Sequence, residues 1–339
     1  MNAAADRAAV PAVDRSARGF LEALPGYAPT PLHALPALAA ELGLASVALK
    51  DESDRFGLPA FKVLGASWAV ERALTSSPGV HTLVAASAGN HGRAVAHVAR
   101  VRGLAARIFL PERSAPARRE AIAGEGAEVV VVGGGYEEAV ARAAVDGAAP
   151  GCFELADVGA AGGPAEWVID GYATLFAELS GDVDLVVVPA GVGSLAAAAA
   201  RFGASVGAAV VAAEPSSAAC VGASLAAGSP QSVETPGTTM AGLDCAEVSV
   251  AAWPSLRAGL AGAVAVSDEE AWASMRELAS AGLLIGDCGA SALAALRALA
   301  VDPDCSPLRE AVGLGPASRV VLIATEGVTD PDGYATTVG

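Results

Sequence analysis

The chain is poor in lysine. It has 21 basic residues, yet only Lys50 and Lys62 are lysines and the rest are arginine. A lysine that merely carries charge would be replaceable in such a background, so each of the two needs a reason. Aromatic residues make up only 4% of the chain, and the core must therefore be packed with Ala, Val and Leu on closely approaching elements. No run of basic residues occurs and the net charge is −16, a balance that repels phosphate backbones and argues against a nucleic-acid partner. The five cysteines are scattered and odd in number, with no CxxC pair, so neither a zinc knot nor a disulfide framework is legible, and a reducing cytoplasm is the expected setting. Uncharged runs such as 185–200 fall short of the ~20 residues of a spanning helix and contain proline and glycine, so no membrane span is expected. The first residues lack an apolar leader core, and residues 1–19 read as a flexible tail.

What is present is alternation. Apolar runs at "SVALK", "HTLVAAS", "ARIFLP", "AEVVVVG", "DLVVVPAG", "GAAVVAAEP" and "RVVLIATEG" alternate with helical patterns such as "HGRAVAHVARVRG" and "SDEEAWASMRELASAG". This predicts an α/β fold of two domains, each a twisted, mostly parallel sheet flanked by helices. The expected boundaries give a large domain over 20–74 and 166–339 and a small domain over 75–165.

Three loops follow strands and open helices, where ligands sit in such folds. At "VPAGVGSLAAAAA", Gly191 and Gly193 free backbone N–H groups for an anion, and a helix begins at Ser194. Gly191-x-Gly193-x-x-Ala196 also satisfies a dinucleotide fingerprint, with Glu214 ending the next strand 23 residues after Gly191, so a nicotinamide-binding oxidoreductase is a rival reading. At "AASAGNHG", Ser87, Ala88, Gly89, Asn90 and His91 form a second nest of donors, suited to a carboxylate and one further oxygen. The competing reading there is a simple helix cap. At "IATEG", Thr325 ends a buried strand where its hydroxyl could meet a ligand ring or satisfy local backbone.

Lys62, between Phe61 and an amphipathic helical pattern, then becomes informative. Imine chemistry requires a primary amine, which arginine cannot supply. One lysine, a phosphate cup, a carboxylate cup and a ring-nitrogen partner together describe a pyridoxal 5'-phosphate site. Lys50 reads as structural, pairing with nearby acids. Cys288 reads as a packed thiol and Asp287 as either a helix cap or a substrate contact.

At these residues the chain resembles the fold-type II (tryptophan synthase β-like) pyridoxal-phosphate enzymes. "PTPLHAL", "LKDESDRFGLPAFKVLGAS", "SAGNHG", "GVGSL" and "TEGVTDP" match that family's signposts in order, over residues 27–334. "KDESDRFGLPAFK", "WVIDGYATL", "TTMAGLDCAEVSVAAW" and "GDCGASALAAL" resemble the diaminopropionate ammonia-lyase group. The resemblance implies that Lys62 carries the cofactor as a Schiff base and Phe61 packs against its ring. It implies that Asn90 bonds the phenolic oxygen, that Gly191, Val192, Gly193, Ser194 and Leu195 hold the phosphate, and that Thr325 faces the pyridine nitrogen. Ser87, Ala88, Gly89 and His91 would contact the amino acid substrate, and Asp157 aligns with an acid of the family site. A homodimer is also implied.

The implied reaction is α,β-elimination: an α-proton and a β-amino group leave, and the product hydrolyses to pyruvate and a second ammonia. A serine or threonine dehydratase, or a β-replacement synthase, is the alternative on the same fold. One position departs from the pattern. The ammonia-lyases carry an acid immediately before Gly-Asn-His, whereas this chain has Ala88, whose methyl cannot accept a proton. The expectation is selectivity for the L-enantiomer or for another β-substituted amino acid.

Overall fold

The computed structural model describes every residue except Ala88 and Arg113, together with the side chain of Glu137. Among the described residues, ten strands form two sheets: β1 (Leu32–Ala34), β2 (Ser46–Asp51), β3 (Thr82–Ala86), β4 (Ala105–Pro111), β5 (Glu128–Val132), β6 (Cys152–Glu154), β7 (Leu185–Pro189), β8 (Ala209–Pro215), β9 (Gly262–Val266) and β10 (Arg319–Ala324). The larger sheet has the order β1-β2-β10-β7-β8-β9 and the smaller β5-β4-β3-β6. All pairings are parallel except β1 against β2, which is the expected fold class.

Burial explains the apolar runs. Every residue of β3, β7 and β8 is buried, because helices cover both faces of a parallel sheet. The scarcity of aromatics is met by close approach. Ala196 to Ala200 on the helix Ser194–Val206 are fully buried. The helices Val63–Ser76 and Pro164–Ala177 meet through glycines. A Cβ on Gly171 would lie 2.6 Å from the Leu64 carbonyl oxygen and 2.7 Å from the Gly65 Cα.

The second lysine has the structural part expected of it. Lys50 Nζ lies 2.6 Å from Glu178, which also pairs with Arg55 at 2.7 Å, all out of solvent. Burial alone would raise the Glu178 carboxyl; Arg55 and Lys50 outweigh it and hold the group down to about 2.

The N-terminal segment is tied to the large sheet's side of the molecule at one residue near its start. Asn2 is buried, and its side-chain amide donates to the carbonyls of Arg257 (2.8 Å) and Leu260 (2.7 Å). These carbonyls end the helix Trp253–Gly259 and lack intrahelical partners, so a single asparagine there ties the segment down.

Candidate active site

The site gathers where strands end and helices begin. Lys62 occupies the N-cap of the helix Val63–Ser76, and Phe61 N–H donates to the Thr325 carbonyl at 3.3 Å, joining the lysine's loop to the end of β10. Lys62 Nζ lies 3.3 Å from Asp157 Oδ2, with the two side chains 19% and 13% exposed. Asp157 arrives from the loop between β6 and the helix Pro164–Ala177. Two residues meant for different tasks, one from each sheet's side of the cleft, thus form one pair.

Two rings flank the amine. Nζ is 5.7 Å from the Phe61 centroid and 6.0 Å from that of Tyr172, and the rings themselves are 4.7 Å apart. Burial disfavours the Lys62 ammonium, but Tyr172 and Asp157 more than offset this and raise its pKa above the ordinary lysine value. Burial likewise disfavours the Asp157 carboxylate, while His91 and Lys62 outweigh it and hold the acid below its usual range. Tyr172 is pushed up to about 12, chiefly by burial.

The glycine loop has the shape of an anion cradle. Gly193 adopts φ 91°, a left-handed conformation that disfavours any side chain, and the helix Ser194–Val206 starts directly after it. A Cβ on Gly191 would sit 2.9 Å from Cys245 Sγ, and one on Gly193 would sit 2.5 Å from Leu256 Cδ1. The Val192 carbonyl accepts from Ser249 N–H, and Leu195 is buried behind the loop. Ser194 Oγ donates to the Asp157 carbonyl at 3.2 Å, linking the cradle to the acid.

On the opposite wall, Ser87 is buried and its Oγ accepts from Gly89 N–H at 3.3 Å. Asn90 opens the helix Asn90–Arg102 and donates its side-chain amide to Glu326. His91 is buried with Nε2 2.8 Å from the Leu155 carbonyl, so this ring braces the segment leading to Asp157. Ala88 lies outside the described residues. Thr325 is 5% exposed, and its Oγ1 finds no partner among the described residues.

Glu214, on which the dinucleotide reading depended, is 1% exposed and accepts the N–H groups of Val221 (2.9 Å) and Gly222 (2.8 Å). It caps the helix Cys220–Ala227, so its oxygens are engaged where a ribose would need them.

These residues fit pyridoxal phosphate. A primary amine, a glycine loop at a helix start, an amide and a buried hydroxyl without a partner among the described residues are brought together by these contacts. Comparison with known proteins agrees: the family described as "Pyridoxal-phosphate dependent enzyme" matches residues 23–326. The chain belongs to that family. Its cofactor is pyridoxal 5'-phosphate, and the dinucleotide rival falls away.

Relatives narrow the likeness. The chain is 32% identical over 359 residues to the diaminopropionate ammonia-lyase of Salmonella typhimurium, covering 93% of this chain and 89% of the relative. A crystal structure of the Escherichia coli diaminopropionate ammonia-lyase, in complex with an aminoacrylate–PLP azomethine reaction intermediate, superposes with TM-score 0.87. It is 30% identical and covers 100% of this chain and 93% of that one. The biosynthetic L-threonine dehydratase of Corynebacterium glutamicum is 32% identical, but over only 56% of this chain and 45% of its own length. Maize serine racemase, at 23% identity and TM-score 0.81, shares the fold.

Sequence reasoning left three site residues without roles. Tyr172 sits in "WVIDGYATL", and Glu326 directly follows Thr325. Cys245 stands against Gly191 at the end of "TTMAGLDC". Each lay inside a quoted signpost, and only tertiary contact shows which member of the signpost faces the cleft.

Proposed function

We propose that the protein catalyses β-elimination of ammonia from 2,3-diaminopropionate or a closely related β-substituted amino acid, with preference for the L-enantiomer. The observation that carries this reading is the Lys62–Asp157 pair at 3.3 Å in a cleft that fits pyridoxal phosphate. Pyridoxal phosphate, when bound, supplies an electron-withdrawing ring that acidifies the α-carbon of an amino acid. Lys62 would hold it through its amine, and that amine, when free, would serve as the base for the α-proton. Asp157 stays ionised near neutrality and would hold in place the proton that Lys62 takes up, so that Lys62 can pass it to the departing β-amine. The Thr325 hydroxyl would face the ring nitrogen, and being neutral it would place no charge there. Phe61 and Tyr172 keep water from the amine.

The enantiomer preference rests on Ala88, a methyl where the ammonia-lyase pattern has an acid. The small sheet closes over the substrate, with Ser87, Gly89 and His91 on its rim. Function as a homodimer is part of the proposal, and so is a cytoplasmic setting. The five free cysteines are consistent with a reducing compartment.

The test is pyruvate release from L- and D-2,3-diaminopropionate, with L-serine and L-threonine as parallel substrates. Turnover of the L-diamine alone is expected. Equal rates on both enantiomers would overturn the selectivity, and turnover confined to serine or threonine would move the assignment to a dehydratase.

A further inference from the structure

Glu326 follows Thr325 at the end of β10 and is 4% exposed. One of its carboxyl oxygens accepts the side-chain N–H of Asn90, a contact across 236 residues of chain. Ligand atoms of Asp287, Cys288 and Glu326 all lie within 4.8 Å of one another. Space has been left for this carboxyl. A Cβ on Gly286 would lie 3.2 Å from Glu326 Oε1 and 2.6 Å from the Gly327 carbonyl oxygen. Among the described residues, no cation pairs with Glu326 at salt-bridge distance. A buried acid without a counter-ion, holding a cofactor-facing amide, is an expensive feature unless it has a task.

We propose that Glu326 is a positioning residue that fixes the Asn90 amide so that its second N–H meets the phenolic oxygen of the cofactor, and that its proton sets how much negative charge that oxygen carries. The inference rests on the pyridoxal phosphate reading. An asparagine amide has two N–H donors in one plane. Committing one to Glu326 decides which end of the amide is nitrogen and where the second donor points. A neutral Glu326 lets Asn90 donate to the phenolic oxygen with ordinary strength, while an ionised Glu326 adds a negative charge beside it and raises its affinity for a proton.

The charged and titratable groups facing Glu326 are Asp287 and Cys288, from the helix Asp287–Val301, and Arg118, from the helix Pro116–Gly124. Burial first, and the Asp287 charge second, push Glu326 up to about 7. The Cys288 thiol is pushed well up by burial and keeps its proton throughout this range. Burial raises the Asp287 carboxyl as well, and the charge change expected near neutrality is that of Glu326.

The experiment uses the holoprotein and follows the cofactor's visible absorption band from about two pH units below neutrality to two above. Glu326→Gln keeps an acceptor oxygen for Asn90 but cannot ionise; Glu326→Leu removes both. The wild-type band is expected to shift in one transition near neutrality. The Gln variant should lose the transition yet retain cofactor to within about twofold, while the Leu variant loses the transition and binds cofactor about tenfold more weakly. Asp287→Asn, which removes a negative neighbour, should move the wild-type transition to lower pH. The proposal is overturned by a wild-type band that does not move, by an unchanged transition in the Gln variant, or by a Leu variant that binds as tightly as wild type. If the Leu variant fails to fold, the Gln spectrum decides alone. A wild-type protein with no visible band overturns the cofactor reading itself, an outcome separate from any of these.

Discussion

Replacing Asp157 by asparagine should make the protein capture its cofactor faster while turning over substrate more slowly. The carboxylate lies 3.3 Å from Lys62 Nζ. At that distance Coulomb's law gives about 5 kcal/mol at an effective dielectric near 20 and about 1 kcal/mol in bulk water. Both side chains keep a little exposure, so a value of about 2 kcal/mol is the reasonable working figure, equivalent to about a thirtyfold change in the fraction of free amine. Imine formation needs that free amine, and Asp157 now holds Lys62 as ammonium. Apoprotein mixed with pyridoxal phosphate near neutral pH should therefore develop its visible band about thirtyfold faster in Asp157→Asn than in wild type. The advantage should narrow as pH rises through the variant's lowered lysine pKa. Turnover of the amino acid should meanwhile fall by about a hundredfold or more, because a proton-handling group is gone. Misfolding cannot produce opposite signs in the two readouts. A folded variant that captures cofactor no faster than wild type would refute the argument that Asp157 holds the charge on Lys62.

Further outcomes follow from other contacts. Gly171→Ala should destabilise the fold by about 1–3 kcal/mol in urea, because its Cβ would meet backbone atoms of the Lys62 helix; an unchanged midpoint would mean those helices can part without cost. Thr325→Ala should leave apoprotein stability within about 0.5 kcal/mol, since the hydroxyl has no protein partner, while weakening cofactor retention about tenfold. Equal retention would show that the hydroxyl does not face the ring. Glu178 has its folded pKa depressed to about 2, so its contribution is complete above its unfolded value and disappears as pH falls through about 2. Wild type should exceed Glu178→Gln by about 3 kcal/mol above about pH 5, with the gap closing in acid. A constant gap across that window would place the effect in packing.

Among the described residues, seven of the ten strands were legible as apolar runs, and the other three escaped for two physical reasons. β1 and β6 are three-residue edge strands, too short to show a period, with Leu32 itself exposed. β9 lies within an Ala/Gly-rich stretch whose composition hardly changes at its ends. Lys62 was conspicuous because lysine is so rare here. Asn90 and Thr325 stood out because each follows a strand. Glu326 and Tyr172 were silent, since their meaning depends on what lies across the cleft and no local pattern encodes that. The anchoring of Asn2 was silent for a related reason: one asparagine capping a distant helix leaves no trace in composition.

The origins of the site residues also bear on how such an enzyme could change its diet. Lys62 precedes the helix Val63–Ser76, which packs on the helix Pro164–Ala177, and the Gly191–Leu195 cradle and Thr325 follow strands of the larger sheet. Ser87, Asn90 and His91 follow β3 of the smaller sheet, and Asp157 follows β6 of that sheet. The proposed anchoring residues and the proposed substrate contacts thus lie in separate stretches of chain, with Asn90 the exception. On that proposal, exchange of residues 82–157 between relatives would move the substrate contacts together with Asn90 and Asp157, whose contacts with Glu326 and Lys62 are the seams that must be matched.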